Sequence, residues 1–206
     1  MAIRIACIAP VTWKTDRELT MIESAIGVDA AQVAALASVV ERIQESAVWT
    51  IRKYHSSAAY NAAKKSGRAI EPDEILIVKG NLLLNEGINA MWNLICGETE
   101  TDFSESNAYI GVGDDNTAAA ATQTGLQAVT NKLYVAVEAG YPTCGSDQKA
   151  TWQAEFGSSE GNFDWEEITV ASGNSDSADN MNRKVQSMGT KASGSTWTVS
   201  LEITLS

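Results

Sequence analysis

The sequence has few of the residues from which catalytic centres are usually assembled. It contains one histidine, His55, and three cysteines, Cys7, Cys96 and Cys144, which lie far apart in the chain. A catalytic triad or a zinc site needs several such side chains at defined spacings. The odd number and wide separation of the cysteines argue against a disulfide framework and favour assembly in a reducing cytoplasm. We therefore expect neither an enzyme nor a bound cofactor, and we expect His55 to be a solvated or interfacial helix residue.

Long apolar runs are also absent. No stretch approaches the roughly 20 apolar residues that span a bilayer. The apolar run after Arg4 is too short for the core and cleavage region of a signal peptide. We therefore expect no membrane partner and no export signal.

Basic residues are scarce in the second half of the chain. Residues 86–206 carry 5 Lys/Arg and 17 Asp/Glu, a net charge of −12, whereas residues 1–85 have a net charge of +1. An acidic surface of this kind is repelled by phosphate backbones. We expect no nucleic-acid partner, and we expect the acidity to keep the surface soluble.

The 206 residues, 44% of them hydrophobic, suffice for one sizeable domain with or without an appendage. The N-terminal part shows apolar residues at alternating spacings of three and four, which predicts a helix with one apolar face. This helical seam consists of Val33, Leu36, Val40, Ile43, Ala47, Thr50 and Tyr54. Two interpretations stay open: the seam packs on its own domain, or it forms a junction with other subunits. The helical pattern continues to Lys64 and Lys65, with Gly67 as a C-cap.

From Glu74 onward the pattern changes. Two short apolar runs, EILIVKG and NLLLN, precede a predicted short helix that is capped by Asn85 and ends at Gly97. After this helix, short strands alternate with turns rich in Gly, Ser, Asn and Asp. The predicted strands are 107–113, 131–137, 149–156, 163–171, 182–188 and 196–205.

The predicted fold is therefore mainly β with an N-terminal α segment. We expect a helical arm and segment over residues 1–79, followed by an antiparallel, jelly-roll-like β-sandwich over residues 80–206.

The sequence allows three further site interpretations. Asp114, Asp115 and Asn116, with the distant Asp147 or Asp164, offer oxygen ligands that suit calcium, although an acidic turn capped by its own backbone amides is the simpler interpretation. The neighbouring Glu166 and Glu167 should point to opposite faces of a strand, which excludes a catalytic carboxylate pair.

The third interpretation is sugar binding, which the six tryptophans suggest through ring stacking. Trp152, Trp165 and Trp197 fall inside predicted strands, where we expect them in the core.

Four segments in this order resemble a family of virion structural proteins of tailed bacteriophages. They are GNLLLNEGINAMWNLICG (80–97), AYIGVGDDNTAAAATQTGLQ (108–127), NKLYVAVEAGYPT (131–143) and NRKVQSMGTKASGSTWTVSLEITLS (182–206). The resemblance implies a non-enzymatic particle component with a β-sandwich, assembled in the host cytoplasm. It covers residues 80–206 only.

Within that family we expect a capsid decoration or cement protein that binds the major capsid protein and forms a homo-oligomer, with a trimer as the commonest arrangement where three capsid subunits meet. One alternative is a tail or fibre component that binds a host surface glycan through exposed aromatics such as Trp92 or Tyr141. Another is a head–tail adaptor that contacts other virion proteins.

Overall fold

The computed structural model describes residues 45–145 and 147–206. In these residues the strands are β1 (Glu45–Tyr54), β2 (Glu74–Lys79), β3 (Leu82–Leu83), β4 (Tyr109–Gly113), β5 (Lys132–Ala136), β6 (Thr143–Cys144), β7 (Lys149–Phe156), β8 (Asp164–Ala171), β9 (Asn182–Thr190) and β10 (Thr196–Leu205). The helices are α1 (Ser57–Lys65) and α2 (Asn85–Cys96).

The strands form two antiparallel five-stranded sheets. The first sheet has the order β2-β1-β10-β7-β6 and the second has the order β3-β9-β8-β4-β5. Aromatic side chains join the sheets: the ring centroid of Trp165 on β8 lies 4.7 Å from that of Phe156 on β7 and 4.7 Å from that of Trp197 on β10. The fold of the described residues is therefore mainly β and is a two-layer sandwich, as predicted.

The central strand of the first sheet is β10, which pairs with β1 over ten residue pairs and with β7 on its other side. Trp197, Val199 and Leu201 of β10 alternate into the core and are almost fully buried. This alternation was visible in the sequence, and the predicted strand 196–205 is confirmed.

The prediction that the helical seam runs to Tyr54 is wrong, because residues 45–54 form β1. In a strand, successive side chains point to opposite faces, so Ala47 faces the core while Thr50 lies on the outer face. The period of two was also present in the sequence: Ala47, Trp49 and Ile51 are buried. The seam residues Val33, Leu36, Val40 and Ile43 lie outside the described residues.

Residues 45–79 are consequently part of the sandwich. β1 pairs with β10 along its whole length, and β2 pairs with β1. The sandwich thus begins upstream of residue 80, although the sequence pattern predicts its start at residue 80. The helical pattern that continued to Lys65 does correspond to a helix, α1, followed by Gly67 at a φ of 67°.

The predicted short helix is α2, and it ends at Gly97 in the left-handed conformation. Its N-cap is Leu84 rather than the predicted Asn85, and no side chain caps that end. The backbone there finds a partner elsewhere, since the Leu84 N–H donates to the carbonyl of Met181 at 3.1 Å. The six predicted strands of the second half match β4, β5, β7, β8, β9 and β10 to within a few residues.

Candidate interaction surface

The longest irregular segment between β4 and β10 is the connection of residues 114–131, which links β4 to β5. Two side chains from the second sheet hold it, Glu167 on β8 and Arg183 on β9, and both are fully buried. The Arg183 Nε donates to Glu167 Oε2 at 2.6 Å. Glu167 pairs across the ladder with Val185, so Arg183 is its diagonal neighbour on the same face, within reach of a long side chain.

Glu167 fixes the C-terminal part of the connection. Its Oε1 accepts a hydrogen bond from the Ala128 N–H at 2.7 Å, and its Oε2 accepts one from the Gln127 N–H at 3.0 Å. A β-carbon at Gly113 would collide with the Glu167 carboxylate. Glycine at residue 113 therefore provides the space in which this carboxylate meets the connection.

Arg183 fixes the N-terminal part of the connection. Its Nη1 donates to the Thr117 carbonyl at 2.8 Å and to Gln123 Oε1 at 3.1 Å, and its Nη2 lies 3.3 Å from Asp115 Oδ1. Asp115 Oδ1 also accepts from the Thr117 N–H at 2.8 Å. This backbone hydrogen bond, with a smaller contribution from the Arg183 charge, lowers the pKa of Asp115.

The carboxylates at the start of the connection thus bind groups of this chain. Asp115 accepts hydrogen bonds from Thr117 and Arg183, and Asp114 accepts one from the Asn131 side chain at 2.7 Å. In the part of the chain that the structure describes, no group of three or more His, Cys, Asp or Glu side chains can hold a metal ion. For Asp115, the capped turn expected from the sequence is confirmed.

Helix α2 is attached to the same connection through its first turn. Glu86 Oε1 accepts from the Gly125 N–H at 3.2 Å and from the Asn180 N–H at 2.9 Å. The Asn85 N–H donates to the Ala121 carbonyl at 2.8 Å. Burial raises the pKa of Glu86, and the two backbone hydrogen bonds oppose that rise.

Beyond this first turn, α2 exposes apolar side chains. Trp92 is 59% exposed and Ile95 is 73% exposed. With the half-buried Ile88 they follow the spacing i, i+4, i+7, which places them on one face of the helix. In the connection, Val129 is 89% exposed. We call the α2 residues Ile88, Trp92 and Ile95, together with the connection of residues 114–131, the candidate interaction surface.

Of the residues singled out in the sequence, those that the structure describes are not brought together in one site. Ala47 of the seam is buried in the sandwich core, whereas Tyr54 is buried against Tyr60 of α1, with ring centroids 4.6 Å apart, so neither is accessible on the surface. His55 is exposed on the segment between β1 and α1, with its N–H donating to the Asp73 carboxylate at 2.6 Å. Cys96 and Cys144 are free and exposed.

The tryptophans of residues 45–206 divide into two groups. Trp152, Trp165 and Trp197 are buried, as expected of strand residues, whereas Trp92 is exposed. Tyr141 packs partly against the core. The expectation of core packing is therefore confirmed for the three strand tryptophans and does not extend to Trp92.

The buried Glu167–Arg183 pair was missed in the sequence. One signal for it was present: Arg183 is one of only five basic residues in the strongly acidic half of the chain. It also sits in a predicted strand close to the strand that carries Glu167. An arginine of this kind is a candidate for a buried ion pair.

Comparison with known proteins adds no relative. The chain matches no protein family, no curated protein and no solved structure. In the described residues, no helix has the length and apolar character needed to cross a membrane.

Proposed function

We propose that this chain is a structural protein of a tailed-bacteriophage virion, and that it decorates or cements the capsid by binding the major capsid protein. The proposal includes a jelly-roll form of the sandwich and assembly in the host cytoplasm. It also includes a homotrimer, for which Val33, Leu36, Val40 and Ile43 are the candidate contacts. The resemblance of residues 80–206 to virion proteins is the starting point.

The hydrogen bonds that the buried charges of Glu167 and Arg183 make to the connection support a binding role most directly. A buried ion costs several kcal/mol unless it is paired and hydrogen-bonded. Glu167 and Arg183 meet this condition by binding each other and the main chain at Gln127, Ala128 and Thr117. Their hydrogen bonds therefore hold an 18-residue surface connection, Asp114 to Asn131, in one shape. A preorganised surface segment binds a partner with less loss of entropy.

The apolar face of α2 supports the same role. Exposed tryptophan and isoleucine on one helix face are typical of an interface centre, where aromatic anchors contribute most of the binding energy. The net charge of −11 gives the remaining surface a charge that keeps assembled particles apart.

The test is the amount of this chain relative to the major capsid protein in purified particles, measured by quantitative mass spectrometry. Hundreds of copies per particle support decoration, whereas about a dozen indicate a neck or tail position. Absence of the chain from purified particles would contradict the whole proposal.

A paired variant ties the test to the candidate interaction surface. Trp92→Ser combined with Ile95→Ser should abolish addition of the purified chain to particles that lack it. The unfolding free energy should change little, within about 0.5 kcal/mol, because both side chains are exposed. Ala139→Ser, at an exposed residue outside the candidate interaction surface, is the control and should leave addition to particles unchanged.

The exposed Trp92 also favours the second candidate, a tail or fibre protein that binds a host surface glycan by stacking a sugar on the indole. A glycan array probed with the full chain separates the two functions. Binding that is lost in Trp92→Ser indicates a receptor-binding module, and an array without binding favours the capsid role.

A further inference from the structure

β2 is an edge strand of the first sheet, and no described strand pairs with its outer side. Its outward side chains are apolar: Ile75 is 54% exposed and Ile77 is 57% exposed. Proteins usually protect such edges with charged residues, proline or a bulge, because an open apolar edge pairs with other strands. In β2 the charged residues, Glu74 and Lys79, lie only at the two ends of the strand.

The register of the β1–β2 ladder shows which backbone groups face outward. The Gly80 N–H donates to the Ala47 carbonyl at 2.8 Å, which makes this a hydrogen-bonded pair of the antiparallel ladder. Hydrogen-bonded pairs then recur at every second residue, so Leu76 bonds to β1. The N–H and C=O groups of Ile75 and Ile77 consequently point away from β1, toward the open edge.

The outer face of β2 carries Ile75, Ile77 and Lys79. Asp73 is the bend residue just before the strand: its N–H donates to the Lys53 carbonyl at 2.9 Å, and its side chain is 50% exposed. From Asp73 to Lys79 the exposed side chains of this edge are therefore acidic, apolar, apolar and basic. This pattern is self-complementary in an antiparallel pair of β2 strands related by a twofold axis at Leu76. Each Ile75 then lies opposite Ile77 of the second strand, and each Asp73 lies opposite Lys79.

We propose that β2 pairs antiparallel with β2 of a second copy of this chain, about a twofold axis at Leu76. The two sheets then continue into each other, and the interface is of the isologous type common in dimers. The outward backbone groups of Ile75 and Ile77 form the hydrogen bonds of the new ladder. This inference is independent of the proposed virion function.

Charge selects this register over its neighbours. A ladder centred on Ile75 would place Ile77 opposite Asp73, and one centred on Ile77 would place Ile75 opposite Lys79. Only the ladder centred on Leu76 matches both isoleucine pairs and both charge pairs. The Asp73 carboxylate already accepts from the His55 N–H, but its side chain remains 50% exposed and within reach of a second chain.

The first test is the mass of the full chain in sedimentation equilibrium over a wide concentration range. We expect Ile77→Lys to halve the mass of the assembly, whatever contribution residues 1–44 make to it. Ala139→Lys is the control, because it also introduces a lysine at an exposed apolar residue, outside both the β2 edge and the candidate interaction surface, and it should leave the mass unchanged. A wild-type mass that never exceeds that of Ile77→Lys, or equal loss in both variants, would overturn the proposal.

The second test addresses the register. Asp73→Lys alone and Lys79→Glu alone should each weaken association by about tenfold or more, since each places like charges opposite one another. An equimolar mixture of the two variants should restore it, because both cross-strand pairs are then of opposite charge. Lack of restoration, with both variants folded by circular dichroism, would exclude the register centred on Leu76.

A measurement on the wild type needs no variant. Amide hydrogen exchange at Ile75 and Ile77 should slow as protein concentration rises, while exchange at Leu76, already bonded to β1, should change much less. Exchange at Ile75 and Ile77 that stays fast at every concentration would show that the edge remains open and would contradict the proposal.

Discussion

Glu167 and Arg183 show how two residues can determine the shape of a whole surface segment. Each is fully buried, and together they contact residues 115, 117, 123, 127 and 128 of the connection. Removing one member of such a pair leaves the other charge buried and uncompensated. At this scale the stability of the sandwich and the shape of its candidate interaction surface depend on the same atoms.

We therefore predict that Arg183→Met lowers the free energy of unfolding by about 3–5 kcal/mol, measured by urea denaturation. In the variant, hydrogen exchange at Gln127 and Ala128 should also accelerate, since the carboxylate that holds them loses its partner. Lys184→Met, a neighbouring cation that is not fully buried, is the control and should cost less than about 1 kcal/mol. An Arg183→Met protein with the wild-type urea midpoint would contradict this account.

Gly113 gives a second prediction for the same cluster. A methyl group there would meet both the Glu167 carboxylate and the Ala128 β-carbon. Gly113→Ala should therefore cost about 1–3 kcal/mol through overpacking. In Gly145→Ala the new carbon finds only ordinary contact, at 3.8 Å from Asp147, so this control should be near neutral in the same denaturation experiment. Equal stability of the two variants would show that the carboxylate can move aside.

Lys191 makes the free energy of unfolding depend on pH. Only 1% exposed, it donates to the Gly157 carbonyl at 2.6 Å and to the Ser195 carbonyl at 2.9 Å. Burial lowers its pKa to about 8, from an ordinary value of 10.5. Between these two values the unfolded chain binds a proton that the folded chain does not, so folding stability rises with pH there.

Wild-type stability should accordingly increase relative to Lys191→Met as the pH is raised from about 8 to 10, by at most about 1.4 kcal/mol per pH unit. Below about pH 8 the difference should be constant. The measurement is chemical denaturation of both proteins across this range, and parallel curves would show that Lys191 stays charged.

At the scale of elements, β1 and β10 show when a sequence pattern is decisive. In β10 polar and apolar residues alternate over the whole strand, and only one period fits. In β1 the same apolar residues satisfy two periods: Ala47 and Tyr54 match the helical spacing, while Ala47, Trp49 and Ile51 match the strand spacing. The strand is favoured because it pairs with β10 over ten residues. The paired residues are 142 to 160 positions apart in sequence, so local periodicity carries no information about this pairing.

The connection of residues 114–131 shows a second limit. Its turn chemistry at Asp115 is local and was predictable. Its path over the sheet was not, because it depends on hydrogen bonds between residues far apart in sequence, such as Arg183 and Thr117 at a separation of 66. The strand positions of the second half were therefore predictable from the sequence, whereas β1 and the candidate interaction surface were not.

At the scale of the whole molecule, the sandwich closes only when β1 and β2 are present. β10 lies between β1 and β7, and it carries the core residues Trp197, Val199 and Leu201. Without β1 it would become an open edge ten residues long. The core would also lose Trp49 and Ile51, both fully buried. The boundary that the sequence pattern suggested, at residue 79, thus divides a single core.

We predict that a fragment of residues 80–206 does not fold cooperatively, whereas a fragment of residues 44–206 does. Burial of one large side chain contributes about 1.5–3 kcal/mol. Losing Trp49, Ile51 and Val78 together therefore removes an amount comparable to the total stability of an ordinary domain, about 5–15 kcal/mol. Thermal unfolding followed by near-ultraviolet circular dichroism distinguishes the outcomes, because packed tryptophans give a signal that disappears in one sharp transition. The longer fragment serves as the control, and a cooperative transition in residues 80–206 would show that β10 is stable without β1.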